Sequence, residues 1–236
     1  MNVALLTTDT PHHLYYAWQL GERLGLRAIF LETRAPVPAF ETRHAFEKDR
    51  DEYERAVLLA GGPASFDAVA PTRHFPSLND GPAVSALTAL APDVTLVFGT
   101  GKLRQPTIAA ARAATLNLHG GDPELYRGLD SHLWAIYHAD FAALVTTLHH
   151  VARELDTGDI VMQTALPLTR GMGLHELRAV NTRACVSLSL AALAALGSTG
   201  ALPGRPQRGR GRYYSLMPAV LKDVCITRFD RHVGAL

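Results

Sequence analysis

Residues 2–32 read NVALLTTDTPHHLYYAWQLGERLGLRAIFLE, and how this run is parsed decides the fold. Asn2 to Thr7 is a short apolar run, the mark of a buried strand. The polar Thr-Asp-Thr-Pro that follows stops it. Thr10 before Pro11 signals a helix start, with a hydroxyl at the N-cap and proline in the first helical position. Leu14, Ala17, Trp18 and Leu24 then recur at helical spacing, and Leu26 to Glu32 is a second apolar run. Strand, crossover helix and strand make a β–α–β unit, the connection that parallel strands require.

The same grammar continues along the chain. His44–Leu59 is charge-dense and predicts an exposed helix, with Glu47/Arg50 and Asp51/Arg55 at pairing distance and a solvated face as the plain account of its charges. Residues 61–79 are rich in loop formers and carry no assignment. Val84–Leu90 predicts a helix, Val94–Phe98 a buried strand, Gln105–Ala114 a short helix and Thr115–Leu118 another strand. A helix near Ser131–His138 follows, then strands at Leu144–Val151 and Ile160–Leu166. Gly173–Leu196 predicts a long helix with Leu174, Leu177, Val180, Ala184, Leu188 and Ala191 on one face. After Gly197 the chain turns rich in Gly, Pro and Arg and reads as an extended tail. The expected fold is α/β: a mostly parallel, twisted sheet with helices on both faces. Its core spans residues 1–200, and a C-terminal extension, 201–236, packs on or near it.

Composition narrows the function. The 236 residues are 47% hydrophobic, enough for one sizeable core, and carry a formal net charge of +1. No global field favours nucleic acid. The two cysteines, Cys185 and Cys225, give no disulfide framework and suit a reducing compartment, so a cytoplasmic location is expected. The N-terminus lacks the basic segment and cleavage site of a signal peptide. The apolar stretch 184–196 is shorter than the roughly 18–20 residues that span a bilayer, and a buried helix accounts for it.

Chemistry concentrates after Leu116, in LNLHGGDPELYRG (116–128). Asn117 and His119 alternate on a strand and so point to one face. Gly120 and Gly121 follow, where the missing Cβ lets a ligand or another backbone approach. Asp156 sits in Leu-Asp-Thr-Gly-Asp between two strands. From the residues alone the readings stay open. A strand His and Asn often satisfy backbone groups, and Asp-Thr-Gly makes an ordinary Asx-turn. A metal could draw on His119, His149, His150 and Asp156, but adjacent His149 and His150 face opposite ways and no HxxxH or CxxC pair is present, so no metal is expected. Gly99-Thr-Gly-Lys102 fails as a phosphate loop, because Walker A needs Gly where Leu96 stands and Ser or Thr where Leu103 stands. A dinucleotide fingerprint needs Gly at Arg104. No GxSxG elbow is present.

Taken together, Asn117-Leu-His119, Tyr126-Arg-Gly128, Thr147-Leu-His149 and Leu155-Asp-Thr-Gly158, with Ile160 and Gln163 following, resemble the folate-dependent formyltransferase superfamily. Glycinamide ribonucleotide transformylase, methionyl-tRNA formyltransferase and the sugar N-formyltransferases belong to it. The likeness is clear from about Pro92 to Gln163, weaker in the first β–α–β unit, and faint again at Arg-Tyr-Tyr-Ser 212–215. It implies Asn117, His119 and Asp156 as catalytic residues and His149 as a supporting one. It implies 10-formyltetrahydrofolate as co-substrate, held by Phe98, Gly99, Thr100, Gly101, Leu103 and Leu155. The expected chemistry is attack of an amine on the formyl carbon. Asn117 and His119 donate to the developing oxyanion. Asp156 fixes the tautomer of His119, and the three residues together move the protons.

Departures from the family bear on the acceptor. The Gly/Asn-rich phosphate loop of glycinamide ribonucleotide transformylases is replaced by Thr7-Thr-Asp-Thr-Pro-His-His13. No RNA-binding domain follows, so tRNA is not expected. A small-molecule amine remains, a nucleotide-linked amino sugar being the nearest precedent. Its expected contacts are His12, His13, Tyr16, Gly120, Gly121 and Arg127, with Tyr15 and the tail arginines 205, 208, 210 and 212 as further candidates. The tail arginines fit a solvated segment equally well. Asp122 and Glu124 stand where the family has other residues, and either shape the turn or meet a cationic amine. The alternatives are a 10-formyltetrahydrofolate deformylase, a glycinamide ribonucleotide-type transformylase, or a binding protein on the same scaffold. No membrane association is expected, and a homodimer is left open.

Overall fold

The structure is a computed structural model, and it describes residues 1–35 and 37–236. In chain order the elements are β1 (Val3–Thr8), α1 (Pro11–Leu24), β2 (Ala28–Glu32), α2 (Phe46–Leu58), β3 (Thr72–Phe75), α3 (Gly81–Leu90), β4 (Val94–Phe98), α4 (Gln105–Ile108), β5 (Ala114–His119), β6 (Tyr126–Gly128), α5 (Ser131–Tyr137), β7 (Val145–His150), β8 (Ile160–Ala165), α6 (Leu177–Thr199), β9 (Arg212–Tyr214) and α7 (Ala219–Gly234). Seven strands form one sheet in the order β3-β2-β1-β4-β5-β7-β8. The first five are parallel, while β7 runs antiparallel to β5 and β8 antiparallel to β7.

Side chains alternate across this sheet. Leu5, Leu31, Leu96, Leu116 and Leu148 pack on one face with α1 and α6. Ala4, Leu6, Phe30 and Val97 pack on the other with Leu87 of α3. Both faces are therefore covered, which is why the parallel strands read as near-continuous apolar runs. A third cluster joins α5 to α7 through Ile136, Cys225 and Phe229. Both cysteines are free and buried.

The local expectations hold with instructive differences. Thr10 does occupy the N-cap of α1 in extended geometry, but its hydroxyl makes no cap bond; it lies 3.0 Å from His12 Nδ1 instead. α4 stops at Ile108, because Arg112 and Ala113 N–H bond to the carbonyls of Pro92 and Asp93 and draw the chain into β5. β3, which the sequence does not announce, is an edge strand with no buried residue. The tail is not wholly extended: it supplies β9, paired in parallel with β6, and then α7. α2 is not merely a solvated helix, because Glu54 on it is fully buried. Residues 174–199 form one helical run that is long and apolar enough to cross a bilayer. The run is longer than its apolar centre suggests, and it packs against α1, β7 and β8.

The strand order reverses at β1, which lies between β2 and β4. In open α/β sheets ligands bind outside the carboxyl ends of the strands at such a switch point. The loops after β1, β4 and β5 all open there.

Candidate active site

A cavity of about 1120 Å³ lies at the carboxyl ends of these strands, large enough for more than one small-molecule group. Asn117 and His119 reach it from the end of β5. The antiparallel pairing of β5 with β7 sets His149 directly across from Asn117, next to a register shift at Leu148/His149. Bulges often aim side chains at sites in this way. Asp156 arrives from the loop between β7 and β8 with φ of +54°, a left-handed conformation that Asp tolerates better than most residues. Gly158, two residues on, admits no side chain: a Cβ there would lie 1.7 Å from the His150 carbonyl oxygen.

These four side chains form one network. The Asp156 carboxylate accepts from Gly128 N–H at 2.8 Å and from Asn117 Nδ2 at 3.3 Å. It faces His119 Nδ1 at 3.7 Å and His149 Nε2 at 3.5 Å. Burial by itself pushes this carboxyl up, but His119, His149 and the Gly128 N–H outweigh it and hold it down at about 2. Asp156 is therefore a carboxylate at neutral pH. His149 Nδ1 donates to the His150 carbonyl at 2.8 Å, so Nε2 of the neutral ring accepts from Asn117 Nδ2 at 3.1 Å. His119 Nε2 donates to the Tyr126 carbonyl at 2.7 Å. The tautomer of His119 is thus set by that backbone oxygen and not by Asp156, a correction to the sequence reading. The neutral ring keeps a lone pair on Nδ1, the nitrogen beside Asp156.

The loop after β4 forms the opposite wall. Phe98, Gly99, Thr100, Gly101 and Leu103 all line the cavity, as does Leu155. Gly99 has φ of +76°, and a Cβ there would strike the His13 ring at 2.3 Å. Gly101 N–H donates to Glu32 Oε2 at 2.6 Å, and Leu78 N–H to the other oxygen at 3.3 Å. Glu32, at the carboxyl end of β2, thereby ties two loops together. The sequence offered it only as the last residue of an apolar run.

His12 and His13 line the cavity at the start of α1. Burial lowers both pKa values, His12 well below the ordinary histidine value and His13 to about 3, with the Arg178 charge adding to each. Both rings are neutral at pH 7. His132 on α5 was not singled out by the sequence. It also lines the cavity, donates to the Val145 carbonyl at 2.7 Å and is brought to about 4 by burial. Arg178 on α6 is a second surprise. It grips buried Glu54 through two bonds of 2.6 and 2.7 Å and reaches Asp51 at 2.8 Å.

Three expected acceptor contacts fall elsewhere. Tyr16 is fully buried in the core, with its hydroxyl 2.7 Å from Ser189. Arg127 is buried and donates to the carbonyls of Gly211 and Leu155. Gly121 packs against Ser131 and His119 and does not line the cavity, whereas Gly120 does. Of the tail arginines, Arg205 pairs with Glu124 and Arg210 with Glu154. Asp122 Oδ1 accepts from Glu124 N–H and belongs to the turn. Exposed Tyr213 of β9 stands at the cavity rim. Among the described residues, no cluster of His, Cys, Asp and Glu could hold a metal ion.

The family described as formyl transferase matches residues 40–183, more than half of the chain. The chain belongs to the formyl transferase family. Methionyl-tRNA formyltransferase of Ralstonia nicotianae is 36% identical over 159 residues, which cover 65% of this chain and 46% of that protein. The chain spans less than half the length of the curated relatives it matches. In fold it is similar to a sugar N-formyltransferase from Shewanella, with a TM-score of 0.60 at 12% identity, covering 97% of this chain and 87% of that one. It is also similar to the formyltransferase PseJ of Anoxybacillus kamchatkensis, whose structure holds tetrahydrofolate and UDP-4,6-dideoxy-4-formamido-L-AltNAc. There the TM-score is 0.52 at 16% identity, over 91% of this chain and 86% of the other.

Proposed function

We propose that this protein transfers a formyl group from 10-formyltetrahydrofolate to the primary amine of a small molecule, most simply an amino sugar carried on a nucleotide. One observation carries the reading: Asn117, His119 and a buried, ionised Asp156 converge on a single cavity whose far wall is the backbone loop 98–103. The fit to a folate rests on that loop. Glycines at 99 and 101 bare the backbone, while Phe98, Leu103 and Leu155 supply apolar surface for a flat ring.

The bound folate supplies an electrophilic formyl carbon. The chain's own residues handle charge and protons around it. Nδ1 of His119 has a free lone pair and takes a proton from the attacking amine. The positive charge that forms on the ring lies beside the Asp156 carboxylate, which stabilises it. The new Nδ1–H then points toward negative charge growing on the formyl oxygen, and later returns the proton to the departing nitrogen. Asn117 donates to the same oxygen by giving up its long contact with Asp156. One such donor in a dry site is worth about 3–4 kcal/mol. His149 keeps Asn117 aimed, because its Nε2 holds the other amide hydrogen.

A small acceptor suits the charges. Arg205, Arg210 and Arg127 are spent on the protein's own carboxylates and carbonyls, and the net charge is +1. The test is to mix the protein with 10-formyltetrahydrofolate, with and without a panel of amines that includes nucleotide-linked amino sugars. Amine-dependent release of tetrahydrofolate is expected. Amine-independent release means water is the acceptor and the protein a deformylase. Folate binding without release overturns transfer altogether.

A further inference from the structure

The stretch 205–212 first looked like a loose basic tail. The structure draws it tightly across the back of the catalytic loops. Arg205 is bound to Glu124 through two bonds of 3.0 and 2.7 Å, and its backbone bridges Ile160 of β8 in both directions at 2.9 Å. The Arg208 N–H donates to the same glutamate. Gly211 and Arg212 N–H donate to the carbonyls of Pro123 and Leu125, leading into the pairing of β9 with β6. A Cβ on Gly211 would lie 2.5 Å from the Pro123 carbonyl oxygen, so the two backbones touch directly.

Between these anchors sits Gln207. Its Nε2 donates to the carbonyls of Asp156 and Gly158, both at 2.9 Å. One residue earlier, Arg127 Nη1 holds the Leu155 carbonyl at 3.1 Å, while its Nε holds Gly211 of the strap at 2.7 Å. Three carbonyls of the loop 155–158 are thus gripped from behind by two side chains. The gripped segment contains the left-handed residue Asp156, and such a conformation persists only where its surroundings over-determine it. The strap also holds the segment 123–128 from which the Tyr126 carbonyl fixes His119 and Gly128 N–H fixes Asp156.

We propose that the strap 205–212 is an active-site clamp and that Gln207 is a positioning residue, acting on the reaction through the backbone of Asp156. Gln207 touches no reacting atom in this arrangement. Its kinetic consequence rests on the formyl-transfer reading, but its effect on Asp156 does not.

The experiment compares wild type with Gln207→Glu and Gln207→Ala. Gln207→Glu keeps the size and shape of the side chain but turns carboxylate oxygens toward two carbonyls. Two quantities are read. The first is the titration of the Asp156 carboxyl by 13C NMR, its resonance assigned with Asp156→Asn; the charged groups facing it, His119 and His149, are the same in every Gln207 variant. The second is kcat and KM in the transfer assay. In both variants the Asp156 midpoint is expected to move up, because its bond to Gly128 and its approach to the two histidines loosen. kcat is expected to fall on the order of tenfold or more, since small misplacements of catalytic groups are costly, with KM for the folate within about twofold. Glu124→Gln, which weakens the anchor without touching Gln207, is expected to move both readouts the same way by less. A wild-type Asp156 midpoint in folded Gln207→Glu and Gln207→Ala overturns the clamp, as does a wild-type kcat. If wild type shows no transfer at all, the formyl-transfer reading fails, and the Asp156 midpoint still decides the clamp.

Discussion

Replacing Asp156 by Asn should make stability depend on pH in a way that the site geometry dictates. The carboxyl is 5% exposed, and its neighbours bring it from an ordinary value of 3.8 to about 2. Each tenfold change in proton affinity is worth about 1.4 kcal/mol, so the charged form stabilises the fold by about 2 kcal/mol. The sign follows from the depressed folded value. The contribution is full above the unfolded pKa and is lost as pH falls through the folded one. Asn is nearly the same shape and keeps an acceptor for the Gly128 N–H, but it never carries the charge. At about pH 7 Asp156→Asn should therefore be less stable than wild type by about 2 kcal/mol, and at about pH 3 by roughly half of that. Glu124, held at about 2 chiefly by its bonds to Arg205, titrates in the same range. It is present in both proteins and cancels in the difference. Urea midpoints of the two proteins across this range read the effect directly. A deficit that is equal at both pH values, or absent at neutral pH, would refute the ionised, charge-stabilised Asp156 described above.

Further substitutions test the remaining walls of the cavity. Gly99→Ala combines a positive φ with a clash against His13, and should destabilise the fold by about 1–3 kcal/mol and weaken tetrahydrofolate binding, both measurable by thermal shift and calorimetry. Arg178→Met leaves the fully buried Glu54 without its two-bond partner, and should cost about 3 kcal/mol in urea unfolding; a neutral result would mean that Glu54 is protonated or rehydrated in the native state. Tyr213→Ala removes an exposed rim residue, so stability should stay within about 0.5 kcal/mol of wild type. If the ring contacts a bound molecule, KM should rise with kcat little changed.

Much of this fold was legible because parallel strands covered on both faces leave continuous apolar runs. β1, β2, β4 and β5 were found within a residue or two. β3 was not, since an edge strand with exposed side chains leaves no apolar signature. α7 was missed because the Gly- and Arg-rich stretch before it dominates the composition there. In the site, Asn117 and His119 could be paired from strand alternation alone, but nothing in the spacing could bring Asp156 or His149 to them. That took the resemblance, and then the antiparallel register of β5 and β7. The residues misassigned to the acceptor share one cause. Tyr16, Arg127 and Gly121 sit near the cavity in sequence, yet a one-residue change of direction on a helix, strand or turn sends a side chain to the opposite side. Gln207, Glu32 and Arg178 carried no local signal, because their roles consist of contacts with residues far away in the chain.

The most direct measurement is transfer of a 13C-labelled formyl group from 10-formyltetrahydrofolate to an accepted amine by wild type and by His119→Ala, with folding of the variant verified by circular dichroism. The account predicts transfer by wild type and its abolition in the folded variant, with tetrahydrofolate still bound. Transfer at the wild-type rate by His119→Ala would contradict it.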